Sequence, residues 1–164
     1  FWLGEKICTF WKILYNARMT RAFLPASSNI ICRNGNDILL IKRSHKAKAW
    51  PNFWAFPGGK VDDFEFFREA WLRELTEEVG IYAKKYNFSG ETIVFHRNNS
   101  GSKISYFGLV DEWEGVPEIC EPDLATDLAW FPISALPSPF IPHHKIALDA
   151  ILANIAYQEI DFLV

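Results

Sequence analysis

Glu74, Glu77 and Glu78 fall at i, i+3 and i+4 within residues 59–81, GKVDDFEFFREAWLRELTEEVGI. On a helix those positions lie inside roughly a 100° arc, so three carboxylates are held side by side. Like charges at that spacing repel, and a hard divalent cation is the natural counter-charge, because Mg²⁺ and Mn²⁺ take oxygen ligands. Just upstream, Pro57-Gly58-Gly59 lets the backbone turn sharply and approach a bound ion, offering a carbonyl as a further oxygen ligand. Arg73 sits next to Glu74, with seven residues between it and Glu65. A Glu65–Arg73 ion pair would tie the loop to the helix. By itself an acidic helix face is ordinary solvated surface, so the weight of the reading rests on what surrounds it.

Those carboxylates need a rigid support. Ala70, Trp71, Leu72, Leu75 and Val79 give the same helix, expected over 66–79, an apolar face to pack on a sheet, and Gly80 ends it. Strands are expected at 26–32 and 38–41, joined by a turn at 33–37, and again at 93–96, 103–110 and 128–131. The stretch 50–56 is aromatic-rich and 115–127 reads as a loop. After the proline-punctuated segment 133–142, residues 144–157 read as a second amphipathic helix. His143-His144 would then be a helix N-terminus in solvent. Strands and helices mixed at this spacing indicate an α/β fold with helices on both faces of a sheet.

The chain has 164 residues, enough for one domain with a substantial core. Apolar residues at 49% and charged residues at 23% give globular composition. A net charge of -3 argues against a nucleic-acid polymer as partner, whose binding face would be basic. No stretch carries the roughly 20 apolar residues of a membrane span. The uncharged run 128–142 contains four prolines. Cys8, Cys32 and Cys120 are odd in number and widely spaced, which points to a reducing, cytoplasmic setting and not to a disulfide framework. Residues 1–21 differ from the rest. Leu3, Ile7, Phe10, Trp11 and Leu14 recur at helical spacing, and the domain pattern begins after Met19, the single methionine. The expected division is an N-terminal extension over 1–21 and one domain over 22–164. Nothing in the sequence specifies an oligomeric state.

The spacing within 59–81 matches the Nudix box, G-x5-E-x7-R-E-U-x-E-E-x-G-U with U bulky and aliphatic. The matching residues are Gly59, Glu65, Arg73, Glu74, Leu75, Glu77, Glu78, Gly80 and Ile81, without departure. Seven of these demand one residue type, so at roughly 7% per type a chance match is on the order of 10⁻⁸ per start position. From about residue 22 to 158 the chain resembles a Nudix hydrolase. The resemblance implies an α/β/α sandwich with a mixed sheet, and Mg²⁺-assisted (Mn²⁺ as substitute) attack of water on a small-molecule nucleoside diphosphate-X. It puts Glu74, Glu77, Glu78 and the Gly59 carbonyl at metal-ligand positions, and Glu65 and Arg73 at orienting positions. The loop 113–122 resembles that of the MutT-like branch, which carries a further acidic residue reaching the metal. Glu121 matches that position best, with Glu118 as competitor. The motif does not fix the general base; Glu74 is one candidate and the acidic residue of this loop the second.

Residues typical of other branches are missing from their places. His96 stands in the region where ADP-ribose hydrolases carry a proline, and Arg97, Asn98 and Asn99 where dinucleoside-polyphosphate hydrolases carry a tyrosine. Trp54 to Gly59, the 113–115 loop and Trp130 to Pro137 resemble MutT-like triphosphate pyrophosphohydrolases, which yield a monophosphate and pyrophosphate. Arg43, ahead of Lys42, resembles a phosphate-contacting position. Phe140 stands where MutT itself has a base-reading asparagine. A ring there stacks on a base and makes no amide hydrogen bonds, which implies loose base selectivity. The competing expectations are a nucleotide-sugar hydrolase and a non-catalytic nucleotide-binding regulator.

Overall fold

The computed structural model describes residues 24–84 and 88–162. The helix expected within 1–18 lies outside the described residues. Continuously buried runs build β1 (Ala26–Asn34) and β2 (Asp37–Arg43), and Gly35 at φ 62° turns one into the other. Then come β3 (Trp54–Ala55), β4 (Gly58–Lys60), α1 (Phe67–Val79), β5 (Phe88–Asn98), β6 (Gly101–Val110), β7 (Ala125–Pro132), α2 (Pro142–Leu152) and β8 (Tyr157–Asp161). The eight strands form one mixed sheet with the path β3-β2-β1-β6-β5-β8, while β4 pairs with β1 and β7 with β2. The pairs β1–β6 and β5–β8 are parallel.

The sheet is split near its middle. β1 and β2 pair at Arg33↔Ile38 and Asn34↔Asp37. Beyond that, β4 takes the vacated edge of β1, with Asn29↔Gly58, Ser28↔Gly59 and Ser27↔Lys60. The glycine pair is thereby clamped to the sheet directly under α1.

The two helices lie on opposite faces, as expected. On one face α1 buries Trp71, Leu75 and Val79 against Ile30, Cys32, Leu39 and Ile41. Each such side chain contributes roughly 1.5–3 kcal/mol on burial. The Trp71 Nε1–H donates to the Asn29 carbonyl. Its ring lies so close over Gly108 that a Cβ there would sit 1.6 Å from it. On the other face α2 buries Ala147, Leu148 and Ile151 against Ile31, Ile38, Leu40 and Phe107.

Two expectations about α2 are corrected. The helix ends at Leu152, short of Tyr157: Asn154 adopts φ 55° and the chain turns away, with the Ile155 N–H bonded to the Ala150 carbonyl. Tyr157–Asp161 is instead a strand, parallel to β5. His143 and His144 do not lie in solvent; they are 6% and 4% exposed and packed on the sheet. The strands β5 and β6 also run longer than expected and meet in a hairpin at Asn98↔Gly101. Among the described residues no helix is long and apolar enough to cross a membrane.

Candidate active site

Glu74, Glu77 and Glu78 leave α1 towards the split in the sheet. Arg73 organises two of them. Its Nη1 donates to Glu74 Oε1 (2.8 Å) and Glu77 Oε2 (3.0 Å). Its Nε and Nη2 grip both oxygens of Glu65 (2.9 and 3.0 Å), and Nη2 also reaches the Lys60 carbonyl (3.0 Å). The expected Glu65–Arg73 pair is therefore present, and it is bidentate, the geometry a planar guanidinium favours. The hydrogen bond from Arg73 holds the Glu65 carboxyl below the usual carboxylate range. The Asp62 N–H also donates to Glu65, closing the loop before the helix.

Glu78 points inward. It is 8% exposed and accepts the Gly58 N–H at 2.7 Å. Burial pushes its carboxyl up to about 8, against the pull of that hydrogen bond, and the charges of Glu74 and Glu121 add to the rise. Burial likewise raises Glu74, partly offset by Arg73, with Glu77 and Glu121 again acting as like charges. Gly59 lies against the Glu74 carboxylate: a Cβ on it would meet Glu74 Oε1 at 2.2 Å. Glycine is required here for close approach.

The loop after β6 is fastened to the end of α1. The Cys120 N–H bonds to the Glu78 carbonyl (3.0 Å) and the Glu118 N–H to the Val79 carbonyl (3.1 Å), using carbonyls that a helix end leaves open. This places Glu121 where its charge acts on Glu74 and Glu78. Glu118 lies instead beside the helix cap, its Cγ 3.6 Å from where a Gly80 Cβ would be. Arg43, at the end of β2, donates from Nε to the Ala49 carbonyl (3.0 Å), and its charge acts on Glu78. Phe140 stands apart from these groups on the α2 side, half-buried, 5.5 Å from the Phe56 ring and edge-on to it.

Among the described residues no three acidic, histidine or cysteine side chains yet converge as a ligand set: Arg73 holds Glu74 and Glu77, and Gly58 holds Glu78. The donor chemistry nonetheless fits a hard divalent ion. The donors are all oxygen, and the like charges that lift Glu74 and Glu78 are those a cation would offset.

Sequence reasoning missed two features near this site. One is the Gly58 N–H on Glu78, which the glycine pair hinted at. The other is a buried polar group on the α2 face around His96, Lys103, Ser105 and His143, which has no motif.

Residues 23–151 match the family model described as NUDIX domain. An 8-oxo-dGTP diphosphatase of Proteus vulgaris is 33% identical over 96 residues, covering 58% of this chain and 83% of that protein. An ADP-ribose pyrophosphatase of Methanocaldococcus jannaschii is 34% identical over 119 residues, covering 73% and 68%. Among solved structures, that of a MutT NUDIX hydrolase from Burkholderia pseudomallei is 31% identical with a TM-score of 0.71, covering 78% of this chain and 98% of that one.

Proposed function

The chain belongs to the Nudix family as a MutT-like pyrophosphohydrolase of nucleoside diphosphate derivatives, and from that premise we propose that it hydrolyses nucleoside triphosphates to a monophosphate and pyrophosphate. The observation that carries the reading is the carboxylate cluster with Arg43 beside it, close enough for its charge to act on Glu78. Carboxylate oxygens suit a divalent cation and a guanidinium suits phosphate oxygens, so a polyphosphate chain meets both in one place. Glu74, Glu77, Glu78 and Glu121, with the Gly59 carbonyl, are the groups that would hold Mg²⁺ or Mn²⁺. Bound there, the ion neutralises phosphate charge and lowers the pKa of a bound water.

The chain's own residues orient and move protons. Arg73 fixes Glu74 and Glu77 and, through Glu65, the loop before the helix. Glu74 or Glu121 accepts the proton of the attacking water. Burial holds Glu74 above its ordinary value, which makes it a stronger proton acceptor than a free carboxylate.

A panel of (d)NTPs, nucleotide sugars and ADP-ribose, assayed with Mg²⁺ and with Mn²⁺, tests the reading. The expected products are monophosphate and pyrophosphate from triphosphates. A second reading, hydrolysis of ADP-ribose, is favoured by the Methanocaldococcus relative; turnover of ADP-ribose alone, to AMP and ribose 5-phosphate, would establish it instead. Exclusive turnover of nucleotide sugars, or none at all with either ion, overturns both.

A further inference from the structure

The α2 face of the sheet holds a buried polar cluster. Ser27 and Ser105 share a hydrogen bond (2.9 Å), and His96 Nε2 lies 3.2 Å from the Ser105 hydroxyl. The His96 and His143 rings stack at 4.5 Å, and His144 meets His143 edge-on at 4.7 Å. His144 Nδ1 accepts the Phe56 N–H (3.1 Å), whereas the buried Nδ1 of His143 has no partner. Lys103 lies opposite His96 in the β5–β6 register and is half-buried. It makes no hydrogen bond or ion pair among the described residues.

A cation taken out of water without a partner is costly. Burial lowers the Lys103 pKa, and the charges that act on it, Arg43 and Lys60, are both positive. Its own charge reaches His96, His143 and His144. Lys103 therefore adds N–H donors and no acceptor to the cluster, and no acceptor among the described residues pairs with it. Arg43 links it to the catalytic face, since its charge acts on Glu78, Lys103 and His144 alike. Trp50 stands beside it, partly exposed, its ring 6.3 Å from His143. That residue is held at φ 52°, unusual for a bulky side chain, in a loop fastened to Arg43 through the Ala49 carbonyl and the Asn52 N–H.

We propose that Lys103, with His96 and His143, forms a subsite outside the carboxylate cluster for an electron-rich oxygen acceptor of the substrate. The proposal rests on the nucleotide reading above. The acceptor has two chemical sources, the carbonyl edge of a nucleobase or a terminal phosphoryl group. The first would replace the loose base selectivity expected from Phe140 with discrimination against adenine, which has no carbonyl.

The test is Lys103→Met in the full chain, with kcat and KM measured on GTP, CTP, UTP, ATP and the corresponding diphosphates. Loss of a hydrogen bond to a charged group lowers kcat/KM roughly 10- to 100-fold, mainly through KM. A loss on GTP, CTP and UTP that is smaller on ATP assigns the acceptor to the base. An equal loss on every triphosphate, and none on diphosphates, assigns it to the terminal phosphoryl. Without ligand the variant's Tm should hold or rise, because an unpaired half-buried cation has been removed; a structural lysine would lower it. A change below about threefold on every nucleotide, or a uniform loss with a lowered Tm, overturns the proposal. Should the wild type turn over ADP-ribose and no triphosphate, the triphosphate reading fails. The subsite then stands or falls on the variant's KM for ADP-ribose. Should it turn over nothing, the Tm shift produced by GTP and ATP with Mg²⁺ in wild type and variant decides.

Discussion

On the α1 face Glu65, Glu74 and Glu77 gather on the Arg73 guanidinium beside Glu78, and burial favours the protonated form of Glu74 and Glu78. On the α2 face three imidazoles lie beside Lys103, and burial drives protons off them, His143 down to about 3. The physical cause is the same on both faces: a low-dielectric setting disfavours whichever form is charged. The outcomes are opposite because the groups are. One face is short of positive charge and suits a cation; the other carries the unpaired Lys103 ammonium and suits an oxygen-rich ligand. A nucleotide with its metal supplies both. The two clusters then act as two ends of one site, and substitutions in each should fail in different ways.

The largest effect is expected on the acidic side. Glu77→Gln or Glu78→Gln should lower kcat by at least roughly 10²–10³-fold at saturating Mg²⁺, with the fold retained by circular dichroism. Above about pH 8, where the metal-free Glu78 carboxyl is ionised, Glu78→Gln should raise stability by roughly a few tenths of a kcal/mol, because a like charge is removed. Near-wild-type kcat in either variant would dissolve the contrast between the faces. Next comes the loop: Glu121→Gln should cost around 10²-fold if that carboxylate is the base, and Glu118→Gln much less. The opposite order would move the base to the helix cap, where Glu118 lies.

Stability against pH separates the faces by sign. Glu78 is raised from 4.5 to about 8, so its contribution is fully present below pH 4.5 and is lost as pH rises towards 8. His143 is lowered from 6.5 to about 3, so its contribution is present above pH 6.5 and is lost as pH falls towards 3. In metal-free protein, Glu78→Gln should flatten the decline in Tm between pH 6.5 and 8, and His143→Leu the decline on the acid side. Mg²⁺ should add more to Tm at pH 8 than at pH 6, because below about 8 it must displace the Glu78 proton. A Tm profile unchanged by both substitutions would remove the electrostatic contrast.

The two faces also differ in how far they were legible. Glu74, Glu77 and Glu78 belong to one helix, so their spacing alone predicts a shared arc, and Arg73 with Glu65 completes a local pattern. The polar cluster draws Ser27 from β1, His96 from β5, Lys103 and Ser105 from β6 and His143 from α2. No spacing along the chain links those positions; the parallel β1–β6 pairing and the antiparallel β5–β6 hairpin bring them together. His143-His144 read as solvated because local polarity gives no hint that α2 lays its first turn on the sheet. Tyr157 continued the helical period, and only the αL turn at Asn154 ends it. Asn serves there in place of the glycine that would have marked the stop.

The smallest effect concerns Phe140, which touches the α2 cluster without belonging to it. Its ring is edge-on to Phe56 at 5.5 Å and to His144 at 6.3 Å, and the next residue's N–H bonds to the Trp54 carbonyl. Stacking on a base is worth roughly 1–3 kcal/mol, and a half-buried ring offers part of its face, so Phe140→Ala should raise KM about fivefold with kcat little changed. If the ring stacks on the base, the factor should be similar for every nucleotide, because each base has a π-face. If it acts by bracing His144, which packs on His143, the rise should instead follow the base preference that Lys103→Met weakens. KM measured on GTP, CTP, UTP and ATP separates these: a uniform rise makes Phe140 a contact of its own, and a base-dependent rise makes it part of the reader on the α2 face.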